Sequence, residues 1–190
     1  MLLEYGNTVT ELTWHLDENL PTGYSRVYYV QEADIKYQDG KTDCALKPNM
    51  LYALPSSAPY RAWRLSDQRF RVTYLHIDFF PRAVSGLIEM PIPSGSALES
   101  FLACVYRAIE EGRGELVHAL AGAFNTVFDG NAHFISPSGR MTEALIYISS
   151  HLSEEISINT LSALTAYHPH YFIKLFKEDM GMPPHQYILR

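Results

Sequence analysis

The histidines of this chain are the residues that could bind a metal ion, and their spacing argues against it. A metal centre built into a small β-barrel needs a His-x-His pair on one strand, together with a further carboxylate and a further histidine. The only such pair is His168-Pro169-His170, which lies in a helical pattern near the C-terminus, whereas His15 and His76 stand apart in a β-rich stretch. We therefore predict no metal centre and no cofactor.

The possible nucleophiles of the chain also lack the spacing that catalysis requires. Cys44 and Cys104 are the only cysteines and show no CxxC spacing, so we expect two reduced thiols rather than a zinc site or a disulfide framework. No serine or cysteine lies in an elbow motif, and no glycine-rich phosphate-binding loop is present. These patterns predict that the chain is not an enzyme and leave a barrel-type metalloenzyme as the weakest alternative.

A segment near the C-terminus has the residue types that contact DNA. Pro169 suits the first turn of a helix and Gly181 suits its end, so the sequence predicts a helix over residues 169–180. One face of that helix would carry Phe172, Leu175 and Phe176, and the opposite face His170, Ile173, Lys174 and Lys177. A helix that reads the major groove needs an apolar back that anchors it and a front of hydrogen-bond donors, cations and groups that contact methyl groups. An ordinary surface helix is the alternative, but Ile173 gains nothing from solvent, whereas it could contact a thymine methyl group.

The residues before this helix predict a helix-turn-helix. Ser157 can cap a helix that ends near Ala166, and a short turn then leads to Pro169. Two helices this short must cross at a steep angle and share a small core.

Residues 141–190 resemble the first half of the DNA-binding domain of the AraC family of transcription regulators. The matching residues are Ala144, Tyr147-Ile148, Ile156-Ser157-Ile158, Leu161, Tyr171-Phe172, Lys174-Leu175-Phe176-Lys177, Gly181-Met182, Pro184 and Gln186-Tyr187. The resemblance implies that helix 169–180 lies in the major groove of double-stranded DNA. It also implies that His170, Ile173 and Lys174 contact bases, while Lys177 contacts a phosphate, which positions a protein without reading the sequence.

The segment departs from the family's pattern at several points. Ser162 replaces the usual Ala, Ala166 stands where Gly commonly makes the turn, and His168 replaces the usual capping Ser. A left-handed Ala and a poor cap each cost about 1 kcal/mol. Family members also have a second helix-turn-helix, whereas this chain ends at Arg190. The alternative is therefore a truncated protein that senses and dimerises without binding DNA specifically.

The first 93 residues have the composition of a β domain. Short runs rich in Tyr, Val, Ile and Phe are separated by turn residues such as Asp39-Gly40, which is typical of a sandwich or a barrel. On the stretches 26–30, 46–55 and 74–79, the region resembles the cupin-type sensor domain of the same family, a jelly-roll barrel. The resemblance implies that a small effector, often a sugar in this family, binds inside the barrel.

Four residues are the candidates for binding that effector. A small-molecule pocket needs apolar or aromatic walls with a few oriented polar groups. Tyr60 and Trp63 offer flat rings to a sugar, while Arg26 and His76 supply hydrogen bonds. Each also has a purely structural interpretation, because most Tyr and Trp residues of an aromatic-rich barrel belong to its core.

The whole chain is thus predicted to be a two-part α+β protein. Residues 1–93 form the cupin-like β domain, 94–129 a helical hairpin, 130–139 a linker and 140–190 a small all-α helix-turn-helix segment. Leu98, Leu102 and Ile109 are among the apolar residues that recur every three or four positions in the hairpin. The hairpin resembles the family's dimerisation helices, which implies a homodimer.

Composition limits how the chain can bind DNA and where it acts. It has 15 Lys and Arg residues against 21 Asp and Glu residues, a net charge of −6, so a general electrostatic attraction to phosphates is absent and DNA binding depends on a local motif. No stretch approaches the roughly 18 apolar residues of a membrane span. The N-terminus lacks the basic start of a signal peptide, and we expect a cytoplasmic protein.

Overall fold

The computed structural model describes residues 1–11, 13–33, 35–66, 70–137, 139–152 and 154–189. Its strands are β1 (Leu2–Val9), β2 (His15–Glu18), β3 (Ser25–Glu32), β4 (Ile35–Gln38), β5 (Asp43–Ala45), β6 (Met50–Ala53), β7 (Tyr60–Arg64), β8 (Arg71–Ile77), β9 (Ala83–Val84), β10 (Ile88–Pro91) and β11 (Phe134–Ile135). Its helices are α1 (Ala97–Glu110), α2 (Gly114–Val127), α3 (Gly139–Ser150), α4 (Ile158–Leu164), α5 (Pro169–Met180) and α6 (Pro184–Ile188). The predicted order, a β domain followed by helices, is confirmed.

Two antiparallel sheets face each other in the N-terminal region, which we define as residues 1–137. One sheet has the strand order β1-β8-β3-β6-β10, and the other has the order β2-β7-β4-β5. Because successive side chains of a strand point to opposite faces, Tyr28 and Val30 of β3 point between the sheets while Val27 points outward. The space between the sheets holds an aromatic core around the fully buried Tyr37. Two facing sheets fit the predicted barrel, and its jelly-roll assignment stays a prediction.

Helices α1 and α2 form the predicted hairpin and cover the outer face of the five-stranded sheet. Ser96 caps α1, because its Oγ accepts a hydrogen bond from the Glu99 amide at 3.1 Å while the Glu99 carboxylate accepts one from the Gly95 amide at 2.6 Å. Leu102 and Phe124 are buried between the hairpin and the sheet. The predicted role of the hairpin in dimerisation stays a prediction.

The predicted linker, residues 130–139, is attached to the N-terminal region by a short strand pair. Phe134 of β11 pairs with Val84 of β9, and Ile135 pairs with Ala83. The His133 ring also lies so close to Gly86 that a Cβ there would come within 2.7 Å of the His133 Nδ1. The sequence gives no sign of this pairing, because a strand of two residues is too short to show a period.

Helices α3 to α6 form a small helix-turn-helix unit, which we define as residues 139–189. Its core consists of Ile148 from α3, Leu161 from α4, and Phe172 and Phe176 from α5, all buried. The two phenyl rings lie 5.6 Å apart. Among the described residues, no helix is long and apolar enough to cross a bilayer.

The helix-turn-helix unit packs against the N-terminal region. Phe80, which follows β8, contacts the hydrophobic cluster of the unit. Gly181 lies so close to the loop after β6 that a Cβ there would overlap the Ser57 carbonyl, and it would lie 3.1 Å from Pro21. That loop is fixed in turn, because the Ser56 amide and hydroxyl both hydrogen-bond to the Val84 backbone.

Candidate DNA-binding helix and ligand cavity

The turn between α4 and α5 has the conformation that the sequence predicts for a helix-turn-helix. Ser157 caps α4 by accepting a hydrogen bond from the Thr160 amide at 3.0 Å. Ala166 adopts a left-handed conformation with φ of 55°, the position where the family commonly has Gly. His168 precedes α5 without a capping hydrogen bond from its side chain, and Gly181 ends the helix with φ of 74°.

Helix α5 has a buried back and an exposed front. Phe172 and Phe176 are completely buried. On the other side His170, Lys174 and Lys177 are exposed and Ile173 is partly buried. The Lys174 side chain keeps 70% of its surface accessible, although its Nζ lies 3.8 Å from a Glu178 carboxylate oxygen. Because an exposed ion pair of this kind contributes at most about 1 kcal/mol, Lys174 can exchange it for a contact with DNA.

A cavity of about 540 Å³ lies at one end of the space between the two sheets. Its walls come mainly from β1, β2, β3 and β8 and include Glu4, Trp14, Arg26, Tyr28, Phe70, Tyr74 and His76. We call it the ligand cavity. Its volume falls within the range of roughly 300–1,000 Å³ typical of small-molecule sites.

Strand register places the polar residues of the ligand cavity in one row. Glu4 of β1 lies opposite His76 of β8, and His76 lies opposite Arg26 of β3. Neighbouring strands are about 4.8 Å apart, so these three polar side chains meet across three strands. This row forms the polar end of the cavity.

Arg26 is held at this end by several partners. Only 8% of its surface is accessible. Its Nη2 donates to a Glu18 carboxylate oxygen at 2.6 Å and to the Tyr24 hydroxyl at 3.1 Å, and its Nη1 donates to the Tyr60 hydroxyl. Burial lowers the pKa of Arg26, but Tyr60, Tyr28, Glu18 and Tyr24 more than reverse that effect, so the guanidinium stays charged and paired with Glu18.

A lowered pKa keeps His76 neutral at neutral pH at the same end of the cavity. Burial lowers the pKa of His76 and the Arg26 charge lowers it further, while Glu4 opposes both. Its Nδ1 lies 2.9 Å from a Glu4 carboxylate oxygen, so the neutral ring donates its Nδ1–H to Glu4 and keeps Nε2 as an acceptor. Because Arg26 is paired and His76 is uncharged, this end offers directional hydrogen bonds rather than a net positive charge.

Aromatic rings line the middle of the ligand cavity. Tyr74 lies over Gly6, where a Cβ would come within 2.9 Å of the ring, so glycine is what lets the ring lie flat there. Tyr28 lies beside Tyr74 in the register and is 4% accessible. No described residue hydrogen-bonds to the Tyr28 hydroxyl. Trp14 and Phe70, with ring centres 5.3 Å apart, contribute the remaining aromatic wall.

The structure brings only some of the predicted ligand residues together. Arg26 and His76 line the ligand cavity, and Tyr60 supports Arg26 from the core, where its ring stacks on Tyr37 at 5.8 Å. Trp63 lies on the opposite face of β7 from Tyr60, because the two are three residues apart, and it is not part of the described cavity wall. The ring surface comes instead from Trp14, Tyr28 and Tyr74.

The residues that sequence reasoning missed have one signal in common. Glu4, Gly6 and Thr8 alternate on β1, and Tyr74 and His76 alternate on β8. Alternation of polar and apolar residues is equally typical of the solvent-exposed face of a sheet. Only the pairing of β1 with β8 shows that these polar residues point inward. Among the described residues, no group of three or more side chains of the metal-binding types comes together.

Comparison with known proteins decides the assignment of the C-terminal helices. The sequence model of the family described as "Bacterial regulatory helix-turn-helix proteins, AraC family" matches residues 148–189. This segment is similar to the AraC-family helix-turn-helix. The AraC match covers α4, α5 and α6, so α5 is the second helix of the helix-turn-helix. It also confirms the resemblance that the residues themselves indicated.

A curated relative matches over the AraC segment as well. The "Probable transcriptional regulator LumQ" of Photobacterium leiognathi is 46% identical over 44 residues. The match covers 23% of this chain and spans 18% of the length of LumQ.

Solved structures show weaker similarity. ToxT from Vibrio cholerae strain SCE256, determined with a bound unsaturated fatty acid, is 12% identical with a TM-score of 0.49, over 98% of this chain and 94% of that one. The AraC-like transcriptional activator CuxR is 16% identical with a TM-score of 0.44, over 91% of this chain and 67% of that one.

Proposed function

We propose that this protein is a ligand-responsive transcription regulator that binds a specific DNA sequence through α5. The observation that carries the proposal is the exposed front of α5 within an AraC-family segment. Its back is fixed by Phe172 and Phe176, which are completely buried, so the front is held rigidly. His170, Ile173 and Lys174 would contact base edges in the major groove. Lys177 would contact a phosphate.

We propose that the effector binds in the ligand cavity and is a carbohydrate. Aromatic rings from Tyr28, Tyr74 and Trp14 suit the apolar faces of a sugar ring. Arg26, His76 and the hydroxyl of Tyr28 suit its hydroxyl groups, because they supply both donors and acceptors. Since Arg26 is already paired with Glu18 at 2.6 Å, a neutral polyhydroxylated ligand fits this wall better than an anion does.

We propose that α1 and α2 join two copies of the chain, which would place two α5 helices on one duplex. A regulator of this kind acts where the DNA is, in the cytoplasm, and has no catalytic role.

Selection from a pool of random duplexes tests DNA binding. Wild-type protein should enrich a defined sequence, and Lys174→Ala should weaken binding to that sequence about 10- to 100-fold while changing binding to random DNA far less. Lys177→Ala should weaken both to a similar extent. Lys47→Ala is the matched control, because it removes the same charge from an exposed residue outside the helix-turn-helix unit. A pool without enrichment would favour the alternative, a sensor that does not bind DNA specifically.

A thermal-shift panel of aldopentoses and aldohexoses tests the ligand cavity. A sugar at 100 times its dissociation constant should stabilise the fold by about 2.7 kcal/mol. Tyr28→Phe should weaken that sugar's binding, because it removes one hydrogen-bonding group and keeps the ring. Tyr29→Phe is the control, since Tyr29 packs on the opposite face of β3. Binding that Tyr29→Phe reduces and Tyr28→Phe leaves unchanged would place the sugar elsewhere.

A further inference from the structure

Tyr24 lies between the ligand cavity and the helix-turn-helix unit. It follows the turn at 21–23 and directly precedes β3. The turn is fixed at both ends, because the Thr22 hydroxyl donates to the Tyr24 carbonyl at 2.5 Å and the Gly23 amide donates to the Ser56 carbonyl at 3.0 Å. The backbone at Tyr24 is therefore held in place.

On one side, Tyr24 contacts two wall residues of the ligand cavity. Its hydroxyl accepts a hydrogen bond from the Arg26 Nη2 at 3.1 Å, and the Arg26 guanidinium lies 5.2 Å from the centre of its ring. The His76 ring lies 5.2 Å away as well. A ligand that accepts a hydrogen bond from Arg26 or donates one to the Nε2 atom of His76 would compete with these contacts.

On its other side, Tyr24 faces a second cavity, of about 680 Å³, which we call the junction cavity. The junction cavity is also lined by Phe80, by Leu145 and Ile148 of α3 and by Tyr187 of α6. Leu145 and Ile148 belong to the core of the helix-turn-helix unit. Movement of the Tyr24 ring would thus change the space against which that core packs.

We propose that Tyr24 is the positioning residue that couples the ligand cavity to the docking of the helix-turn-helix unit. The inference rests on the proposed function, because it takes the ligand cavity to be the effector site. An effector changes the docking equilibrium only if it binds the docked and undocked states with different affinity. In this proposal the Tyr24 ring keeps the position that bonds to Arg26 only while the helix-turn-helix unit is docked, so competition for Arg26 supplies that difference.

Tyr74 provides a matched comparison inside the same protein. Its ring lies 5.3 Å from His76, almost the same distance as that of Tyr24. Its hydroxyl also hydrogen-bonds to a wall residue, Glu4, at 3.3 Å. Tyr74 lines the ligand cavity but not the described wall of the junction cavity. The two tyrosines therefore differ in whether they line the cavity that the helix-turn-helix unit also lines.

Hydrogen–deuterium exchange of the α3 amides in the full chain tests the coupling, with neither effector nor DNA present. Tyr24→Phe removes the Arg26–Tyr24 hydrogen bond and should speed exchange in α3 about fivefold. Arg26→Met also removes the bonds to Glu18 and Tyr60, so it should speed exchange at least as much. The double variant should exchange no faster than Arg26→Met alone, rather than show the product of the two effects. Tyr74→Phe should change α3 exchange less than twofold.

The proposal is overturned by equal effects of Tyr24→Phe and Tyr74→Phe on α3, by no effect of either, or by a double variant that shows the full product. Tyr24→Phe keeps the ring, and circular dichroism at the temperature of exchange verifies that each variant is folded. Since the experiment uses no sugar, a failure here leaves the sugar-binding test of the ligand cavity intact. A cavity that binds no sugar would conversely leave a measured coupling in place.

Discussion

The N-terminal region and the helix-turn-helix unit bury their apolar residues on different scales. The five-stranded sheet packs on both faces, against the second sheet on one side and against α1 and α2 on the other. The helix-turn-helix unit has a single cluster around Phe172 and Phe176. A unit of about 50 residues buries a small share of its surface and is only marginally stable. The contacts of Phe80 and Gly181 across the junction are therefore part of what keeps α5 ordered.

The two regions also place their cations differently. Arg26 is 8% accessible and paired with Glu18, whereas the Lys174 side chain is 70% accessible. A buried, paired guanidinium gives directional hydrogen bonds that salt hardly screens, while an exposed ammonium is screened strongly. Ligand binding in the cavity should therefore depend little on ionic strength, whereas DNA binding should weaken as the salt concentration rises, with a shallow slope because few phosphate contacts are involved.

The largest expected effect comes from removing the core of the smaller region. Phe172→Ala should cost about 3–5 kcal/mol, enough to unfold the helix-turn-helix unit while the sheets stay folded. Hydrogen exchange should then show lost protection in α4 and α5 and retained protection in β3 and β8. The neighbouring Tyr171, which is 51% accessible, is the control, and Tyr171→Ala should cost only about 1 kcal/mol through its edge-on contact with the Tyr167 ring. Simultaneous loss of the sheets would show that the two regions fold as one unit.

The next effect tests the contact between the regions. Gly181 and Gly95 have nearly the same conformation, with φ of 74° and 75°, but a Cβ at Gly181 would overlap Ser57 whereas one at Gly95 meets nothing within 4 Å. Gly95→Ala should cost about 1 kcal/mol for the backbone alone. Gly181→Ala should cost about 1–3 kcal/mol more and loosen α5, as measured by urea unfolding and hydrogen exchange. Equal losses of unfolding free energy for both substitutions would mean that the junction rearranges to accommodate the extra Cβ at no cost.

A smaller effect concerns the turn of the helix-turn-helix. Ala166 has φ of 55°, so Ala166→Gly should raise the free energy of unfolding of the unit by about 1 kcal/mol. Ala163 lies within α4 and is exposed, and Ala163→Gly should lower that free energy by about the same amount. Thermal unfolding followed at α4 and α5 distinguishes the two. A loss of stability in both variants would mean that Ala166 makes a contact worth more than its strain.

The smallest effect is a pH dependence confined to the N-terminal region. The pKa of His76 is below its ordinary value, so between that pKa and about 6.5 the unfolded chain binds more protons than the folded chain. The free energy of unfolding should therefore decrease as the pH falls below about 6.5. Arg26 promotes this shift, while Glu4 and Glu18 oppose it. Urea unfolding of wild type should show the decrease, and His76→Gln should remove part of it. A His76→Gln slope equal to that of wild type, or changed no more than in His15→Gln, would contradict the assignment.

The helix-turn-helix was predictable from the sequence, since a period of 3.6 residues, Ser157 as a cap, Pro169 and Gly181 are all local signals. Even the left-handed Ala166 follows from the segment it belongs to. The ligand cavity was predictable only in part. Arg26 and His76 can be picked out by residue type. The inward direction of Glu4 and Tyr74 depends on the pairing of β1 with β8, which joins residues some 70 positions apart. Neither strand carries a sequence pattern that indicates this pairing.

Trp63 is the opposite case, a residue that its type indicated but that is not part of the described cavity wall. Its ring suits a sugar as well as that of Trp14 does, and residue type cannot distinguish the two. The face of β7 on which Trp63 lies is set by the register with β2 and β4. A shift of one residue would have reversed it.

The pairing of β11 with β9 limits how far the start of α3 can move away from the N-terminal region. Ile135 pairs with Ala83, and Gly139, the first residue of α3, is four positions further along the chain. Four residues of fully extended chain span at most about 14 Å. If the junction opens, the start of α3 therefore stays near the strand pair while the rest of the helix-turn-helix unit can turn about that point, so opening would reorient α5 without releasing it from the N-terminal region.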